Sequence, residues 1–260
     1  MPEIEFFQCT DAGRVRSNNE DAVGCWPHED GLLFAVADGM GGHNAGEFAS
    51  TLTLEVLARE MDRVPGTWPV TKRLRKAIQE ANLQIFNKAF TVPELSGMGT
   101  TLTATTLIGA SIVTAHVGDC RLYLLRDDEL RQLTKDHTYV AERVQFGLLS
   151  AAQARVHPQR NLLSRSLGKD LIVSIDLISL ELKAGDVVAQ CSDGVHGLIE
   201  DAELAEILRS NPPEPACQRV VERAHAAGAR DNLSIQVARA LSTSPTEPSA
   251  SPRRWWGLRR

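Results

Sequence analysis

The sequence predicts a layered α+β fold. Short apolar runs of strand character are interrupted by long helical pairs, instead of alternating one for one with helices as in a doubly wound sheet. At 260 residues with 43% hydrophobic and 23% charged residues, the chain is long enough to bury a core without staples and too apolar to be disordered throughout.

Taken in order, residues 4–9, 22–26 and 32–37 read as the first strands, and the Asp-Gly of His28-Glu-Asp-Gly31 marks a hairpin between the second and third. Helical period follows. Ala45, Phe48, Ala49, Leu52 and Val56 share one face of a helix over 45–61, opened by Asn44 with Glu47 in capping-box spacing. Leu74, Ala77, Ile78, Ala81, Ile85 and Ala89 do the same over 72–90. Strand character returns at 102–108, 112–117, 121–125, 171–180, 187–191 and 233–237, with helices at 201–210 and 215–227. The polar stretch 134–168, holding two short helical patches at 140–146 and 151–156, sits between strands and reads as an inserted surface lobe.

The domain is expected to span 1–241. Residues 242–260 are a Pro/Ser-rich tail too poor in apolar side chains to pack, ending in Arg253-Arg-Trp-Trp-Gly-Leu-Arg-Arg260. The tail's four arginines against Glu247 give it a small positive charge, enough for a docking segment but not for a membrane anchor. The net charge of −5 argues against nucleic acid as a partner. No apolar run approaches bilayer length and no signal-peptide pattern opens the chain. The five widely spaced cysteines form no Cys-x-x-Cys pair, so a reducing, cytoplasmic setting is expected and a zinc knuckle is not.

Four aspartates stand at strand ends: Asp38, Asp119, Asp193 and Asp231. Carboxylates placed there can point rigidly into a cleft, and several converging would need a cation to neutralise them. Oxygen donors without Cys/His spacing suit magnesium or manganese. Asp-Gly after a strand is also common turn chemistry, so spacing alone does not show that they meet. The glycines of Asp38-Gly-Met-Gly-Gly-His-Asn-Ala-Gly46 allow close approach of backbone to a ligand, but the string is neither a dinucleotide fingerprint nor a P-loop.

Six motifs then occur in order: Asp11-x-Gly13-x-x-Arg16-x-x-Asn19-Glu20-Asp21, Ala37-Asp-Gly-Met-Gly-Gly-His43, Gly97-Met-Gly-Thr-Thr101, Val117-Gly-Asp-Cys-Arg121, Cys191-Ser-Asp-Gly194 and Arg230-Asp-Asn-Leu-Ser234. Over about residues 4–239 the chain closely resembles the bacterial form of the metal-dependent type 2C (PPM) protein serine/threonine phosphatases. The resemblance implies a four-layer α-β-β-α sandwich: two antiparallel sheets flanked by helix pairs, a metal cleft at one edge, and 134–168 as a flap beside it.

Carried over by position, it implies that Asp38 bridges two Mn²⁺ or Mg²⁺ ions, with the Gly39 carbonyl, Asp193 and Asp231 completing the first site. Glu20 serves the second ion with Asp21 behind it, and Asp119 with Asp193 forms a third, weaker site. Arg16 would clamp the substrate phosphate. Hydrolysis of phosphoserine or phosphothreonine by a metal-bridging hydroxide follows, with His43 as candidate general acid. In better-known eukaryotic members a histidine directly follows Asp-Gly; here Met40 does. Cys120 and Cys191 do not sit in a Cys-x5-Arg cradle, and packing is the plainer reading for both. His116 is expected in the core, while His137, His157, Arg160 and Arg165 are flap residues within possible reach of substrate. The implied partners are phosphorylated proteins, with a serine/threonine kinase or its substrates as counterpart. A catalytically silent phosphoprotein-binding regulator and a small phosphometabolite hydrolase remain the alternatives.

Overall fold

A computed structural model describes residues 3–28, 31–41 and 45–242. In chain order it contains β1 (Glu3–Asp11), β2 (Asp21–His28), β3 (Gly31–Met40), α1 (Ala45–Arg63), α2 (Val70–Thr91), β4 (Gly99–Thr100), β5 (Leu102–Ile108), β6 (Ser111–Val117), β7 (Arg121–Arg126) and β8 (Glu129–Gln132). Then follow α3 (Tyr139–Gln145), α4 (Ala151–Arg155), β9 (Asp176–Glu181), β10 (Val187–Cys191), α5 (Asp193–His196), α6 (Asp201–Ser210), α7 (Pro213–Ala226) and β11 (Leu233–Ser242). One sheet runs β1-β11-β10-β7-β8 and the other β2-β3-β5-β6-β9, with β4 paired to β3. All these pairings are antiparallel.

The apolar runs are continuous, not alternating, because both faces of each central strand are covered. Leu33, Ala35 and Ala37 of β3 pack with α1 and α2, through Leu57, Leu74 and Ile78. Leu32 and Phe34, on the opposite face, meet Leu122, Leu124 and Val188 of the other sheet. On that sheet's outer face Val187, Ala189, Ile235 and Val237 pack against Cys217 and Val220 of α7 and Leu204 and Leu208 of α6. The result is four layers, with hydrophobic burial in each of three seams.

The middle seam is partly polar. Gln190 Nε2 donates to Gln236 Oε1 (2.6 Å), Gln236 Nε2 donates to Gln8 Oε1 (2.6 Å) and to the Gly24 carbonyl (2.9 Å), and Thr105 Oγ1 donates to Gln190 Oε1 (2.8 Å). Gln190 and Gln236 are fully buried, so these bonds replace water and tie the two sheets at fixed register.

Several expectations need correction. Residues 171–175 are not strand; β9 begins at Asp176. Side chains of α2 take the local carbonyls: Asn82 Nδ2 donates to those of Asp170 and Leu171, and Gln79 Nε2 to that of Val173. Strand β8 has no apolar signature, but the turn before it has φ of +51° at Asp127 and +64° at Asp128, the primed geometry that favours hairpins. Strand β11 runs beyond the expected 233–237 as far as Ser242, which pairs with Glu3. The two expected flap helices form as α3 and α4, capped by Thr138 and by a Ser150–Gln153 capping box. Asn44, the turn residues Glu29 and Asp30, and the tail from residue 243 lie outside the described residues. Among the described residues no helix is long and apolar enough to cross a membrane.

Gln236→Ala leaves Gln190 and Gln8 without their partner in a buried seam. The expected loss is about 2–3 kcal/mol of unfolding free energy, read from the urea midpoint. Replacing Gln190 and Gln236 together by leucine should cost less than the two single changes summed.

Candidate active site

The strand-end aspartates meet at one end of the sandwich. Antiparallel pairing sets Asp21 of β2 directly opposite Asp38 of β3. Strands β10 and β11 end side by side, with the Ser192 amide donating to the Ser234 carbonyl (3.0 Å), which brings Asp193 and Asp231 to the same edge. Asp119 enters from the turn between β6 and β7. Glu20, Asp38, Asp119, Asp193 and Asp231 line one cleft of about 920 Å³, in which Arg16 and Lys169 are the only Lys or Arg side chains among the described residues.

Asp38 and Glu20 are fixed through their backbones. The Asp38 amide donates to Thr101 Oγ1 (2.9 Å), and its carbonyl accepts from the Thr101 amide (2.9 Å) and Thr100 Oγ1 (2.9 Å). Gly39 runs so close to the start of α1 that a Cβ there would lie 2.0 Å from the Gly46 carbonyl oxygen, so only glycine fits. The Gly39 amide donates to the Glu20 carbonyl (3.1 Å), which also accepts from Ser50 Oγ (2.6 Å). Asn232 organises the 12–20 loop: its Oδ1 accepts from the Glu20 amide (2.8 Å), and its Nδ2 donates to the carbonyls of Ala12 (3.0 Å) and Asn18 (2.9 Å).

The electrostatics are strained. Burial, reinforced by the charges of Asp21, Asp193, Asp119 and Asp231, pushes Asp38 well above the usual carboxylate range. Asp119 rises likewise, from burial and then the charge of Asp193. Burial and Asp231 push Asp193 up to about 6. Burial also pushes Asp21 up to about 7, against the hydrogen bond it receives from Ser192 Oγ (2.7 Å). Arg16 forks onto Asp231, Nε to Oδ1 and Nη2 to Oδ2, both at 3.0 Å, and that bond raises its own pKa. Among the described residues no three His, Cys, Asp or Glu side chains close on a single point. An all-oxygen donor set with excess negative charge nonetheless fits hard divalent cations of the Mg²⁺ or Mn²⁺ kind.

Of the expected site residues, Arg16, Glu20, Asp38, Gly39, Asp119, Asp193 and Asp231 line the cleft. Asp21 lies behind them, 8% exposed. His43 lies outside the described residues. His137 is not free to touch substrate: its Nδ1 accepts from the Gly118 amide (2.9 Å), which leaves Nε2–H facing Asp176 Oδ2 at 3.2 Å. Arg165 likewise pairs with Asp176 (2.7 Å). His116 is a core group whose Nε2 donates to the Lys135 carbonyl (3.1 Å), and burial pushes it down to about 4. Cys120 and Cys191 are buried, and burial raises both thiols, Cys191 to about 12, which keeps them protonated and unreactive. The residues missed at the sequence level are the braces: Thr100, Thr101, Ser192 and Asn232. All four fall inside the six motifs, which was their available signal.

A four-layer α-β-β-α sandwich with an acidic cleft at the sheet ends defines a class of divalent-metal-dependent hydrolases. The family model for protein phosphatase 2C matches residues 11–241, and the chain belongs to that family. The serine/threonine phosphatase stp of Listeria innocua is 37% identical over 231 residues, covering 87% of this chain and 92% of that one. The serine/threonine protein phosphatase PstP of Mycobacterium tuberculosis is 40% identical over 236 residues, 90% of this chain but 45% of PstP. The crystal structure of the PstP catalytic domain in complex with two manganese ions superposes with a TM-score of 0.81 at 38% identity, covering 91% of this chain and 97% of that one.

Two measurements check this electrostatic description. Asp38→Asn removes a buried like charge, so in EDTA the variant should be more stable than wild type by about 1–2 kcal/mol; an unchanged or lower Tm in EDTA contradicts it. His116 refuses a proton that the unfolded chain binds below its ordinary value near 6.5. Stability should therefore fall as pH drops from 6.5 towards 4, by up to about 1.4 kcal/mol per pH unit from this residue. Comparing urea midpoints at pH 7 and 5, His116→Gln should show a shallower fall.

Proposed function

We propose that the chain is a metal-dependent phosphoprotein phosphatase that hydrolyses phosphoserine and phosphothreonine. The observation that carries this is the crowding of five carboxylates into one cleft beside a forked arginine, in a chain of the protein phosphatase 2C family. The listeral and mycobacterial relatives are serine/threonine phosphatases, and the PstP catalytic domain binds manganese.

In this reading Asp38, the Gly39 carbonyl, Asp193, Asp231, Glu20 and Asp119 would hold the divalent ions, with Asp119 and Asp193 serving the weakest site. When bound, the ions supply Lewis acidity, lowering the pKa of water and neutralising phosphoryl charge. The chain's own groups do the rest. Arg16, half-exposed and aimed by Asp231, receives the phosphoryl oxygens through the N–H groups that Asp231 leaves free, at Nη1 and the outer side of Nη2. Thr100 and Thr101 hold the Asp38 backbone so that its carboxylate need not reorganise during the reaction. His43, just before α1, is the proposed donor of the proton that the leaving alkoxide needs. The cleft continues past the carboxylates to Phe90 and Leu162, which leaves room for the residues that flank a phosphorylated side chain. The proposed counterpart is a serine/threonine protein kinase or its substrates, and the proposed compartment the cytoplasm, in keeping with five free thiols.

The test is hydrolysis of a phosphothreonine peptide with manganese. EDTA should abolish turnover, and Asp38→Asn should lower it more than about a hundredfold. Arg16→Ala should act mainly on KM, raising it about tenfold or more. Turnover by Asp38→Asn at the wild-type rate would falsify the metal assignment.

A further inference from the structure

The cleft has a second, apolar end that the phosphoryl chemistry does not use. The last two turns of α2 contribute Phe86, Ala89 and Phe90, and the flap segment contributes Leu162 and Leu163. Phe90 is 85% exposed and Leu162 51%. A lone exposed hydrophobe needs no explanation. These side chains, however, line the same cleft as the carboxylates, so their exposure is continuous with the reacting end.

The two walls are also fixed relative to one another. Asn82 of α2 accepts from the Gly168 amide (2.8 Å) and donates to the carbonyls of Asp170 (2.9 Å) and Leu171 (3.1 Å), tying the helix to the chain leaving the flap. Leu162 is held by the Tyr139 amide, which donates to its carbonyl (2.8 Å), and Leu163 bridges Thr138. The backbone that carries the apolar end is thus held in place before anything binds.

Building on the phosphatase reading above, we propose that this apolar end is a specificity subsite for a hydrophobic side chain flanking the phosphorylated residue of a peptide substrate, with Phe90 and Leu162 as its determinants. A phosphoryl group held beside Arg16 and the carboxylates leaves the rest of the peptide to lie along the cleft. Each extended residue reaches about 3.3–3.6 Å, so residues up to three away from the phosphorylated one extend about 10 Å along the cleft. An apolar one there covers phenyl and leucyl surface otherwise left in water. An acidic one covers none of that surface and must shed its own hydration to lie there.

The experiment uses the full chain with manganese and phosphothreonine peptides that differ only by leucine, serine or glutamate at single positions within three residues of the phosphothreonine. At one or more positions leucine should raise kcat/KM about five- to tenfold over serine, through KM. Phe90→Ser and Leu162→Ser, both exposed and so harmless to the core, should erase that preference. Hydrolysis of p-nitrophenyl phosphate, which has no flanking residues, reports the reacting end separately. Preference lost while p-nitrophenyl phosphate turnover persists supports the subsite. Equal rates for all wild-type peptides, a preference for glutamate, or a leucine preference surviving both substitutions overturns it. Loss of p-nitrophenyl phosphate turnover in Phe90→Ser also overturns it, because the residue would then act on the reaction itself. Absence of manganese-dependent p-nitrophenyl phosphate turnover in the wild type overturns the phosphatase reading beneath it.

Discussion

Mutual repulsion among buried carboxylates is the constraint around which this fold is arranged. Asp38, Asp119 and Asp193 lose most of their hydration and face one another across a narrow space, and each is pushed towards its neutral form as a result. A flexible chain would splay them apart. Here they stay together because they sit where strands end, and strand ends are positioned by whole sheets. The Asp21–Asp38 register and the paired ends of β10 and β11 are consequences of ladders that run the length of the sandwich.

The seam between the sheets serves the same requirement. A purely aliphatic seam would stabilise the layers but tolerate small slips, since hydrophobic contact is non-directional. The Gln8–Gln236–Gln190–Thr105 chain of hydrogen bonds has only one register in which every donor finds its acceptor. Near the cleft the side chains of Thr101, Ser192 and Asn232 continue that polar bracing up to the carboxylates themselves. The site and the core are therefore held by one connected kind of interaction.

The strands and long helices were legible in the sequence because their burial pattern is strong and local: the runs at 32–37, 102–108 and 187–191 lie inside β3, β5 and β10, and the helical faces of 45–61 and 72–90 lie inside α1 and α2. The failures were of three physical kinds. Residues 171–175 look like strand, but the carbonyls of Leu171 and Val173 are taken by Asn82 and Gln79, partners about ninety residues away. Strand β8 is an edge strand with no buried face to show in its composition, revealed only by the backbone of Asp127 and Asp128. His137 carries a functional residue type in a structural position, and only its bonds to Gly118 and Asp176 distinguish the two. The acids of the site were legible as strand-end aspartates, but that they meet is a fact of tertiary structure. So is the grip of Asp231 on Arg16, set by residues 215 apart.

The flap joins the sandwich through a narrow neck. His137 exchanges two hydrogen bonds with Gly118, Thr138 bridges Leu163, and Leu167 pairs with Thr100 on the carboxylate side. The residues between Thr138 and Leu163 are in effect a closed ring hung from a fixed knot. The free energy of closing such a ring grows only with the logarithm of its length, about 0.6 kcal/mol for each doubling. Evolution or an engineer can lengthen, shorten or replace the ring at small thermodynamic cost, reshaping what the cleft admits while the knot keeps the acids where they are.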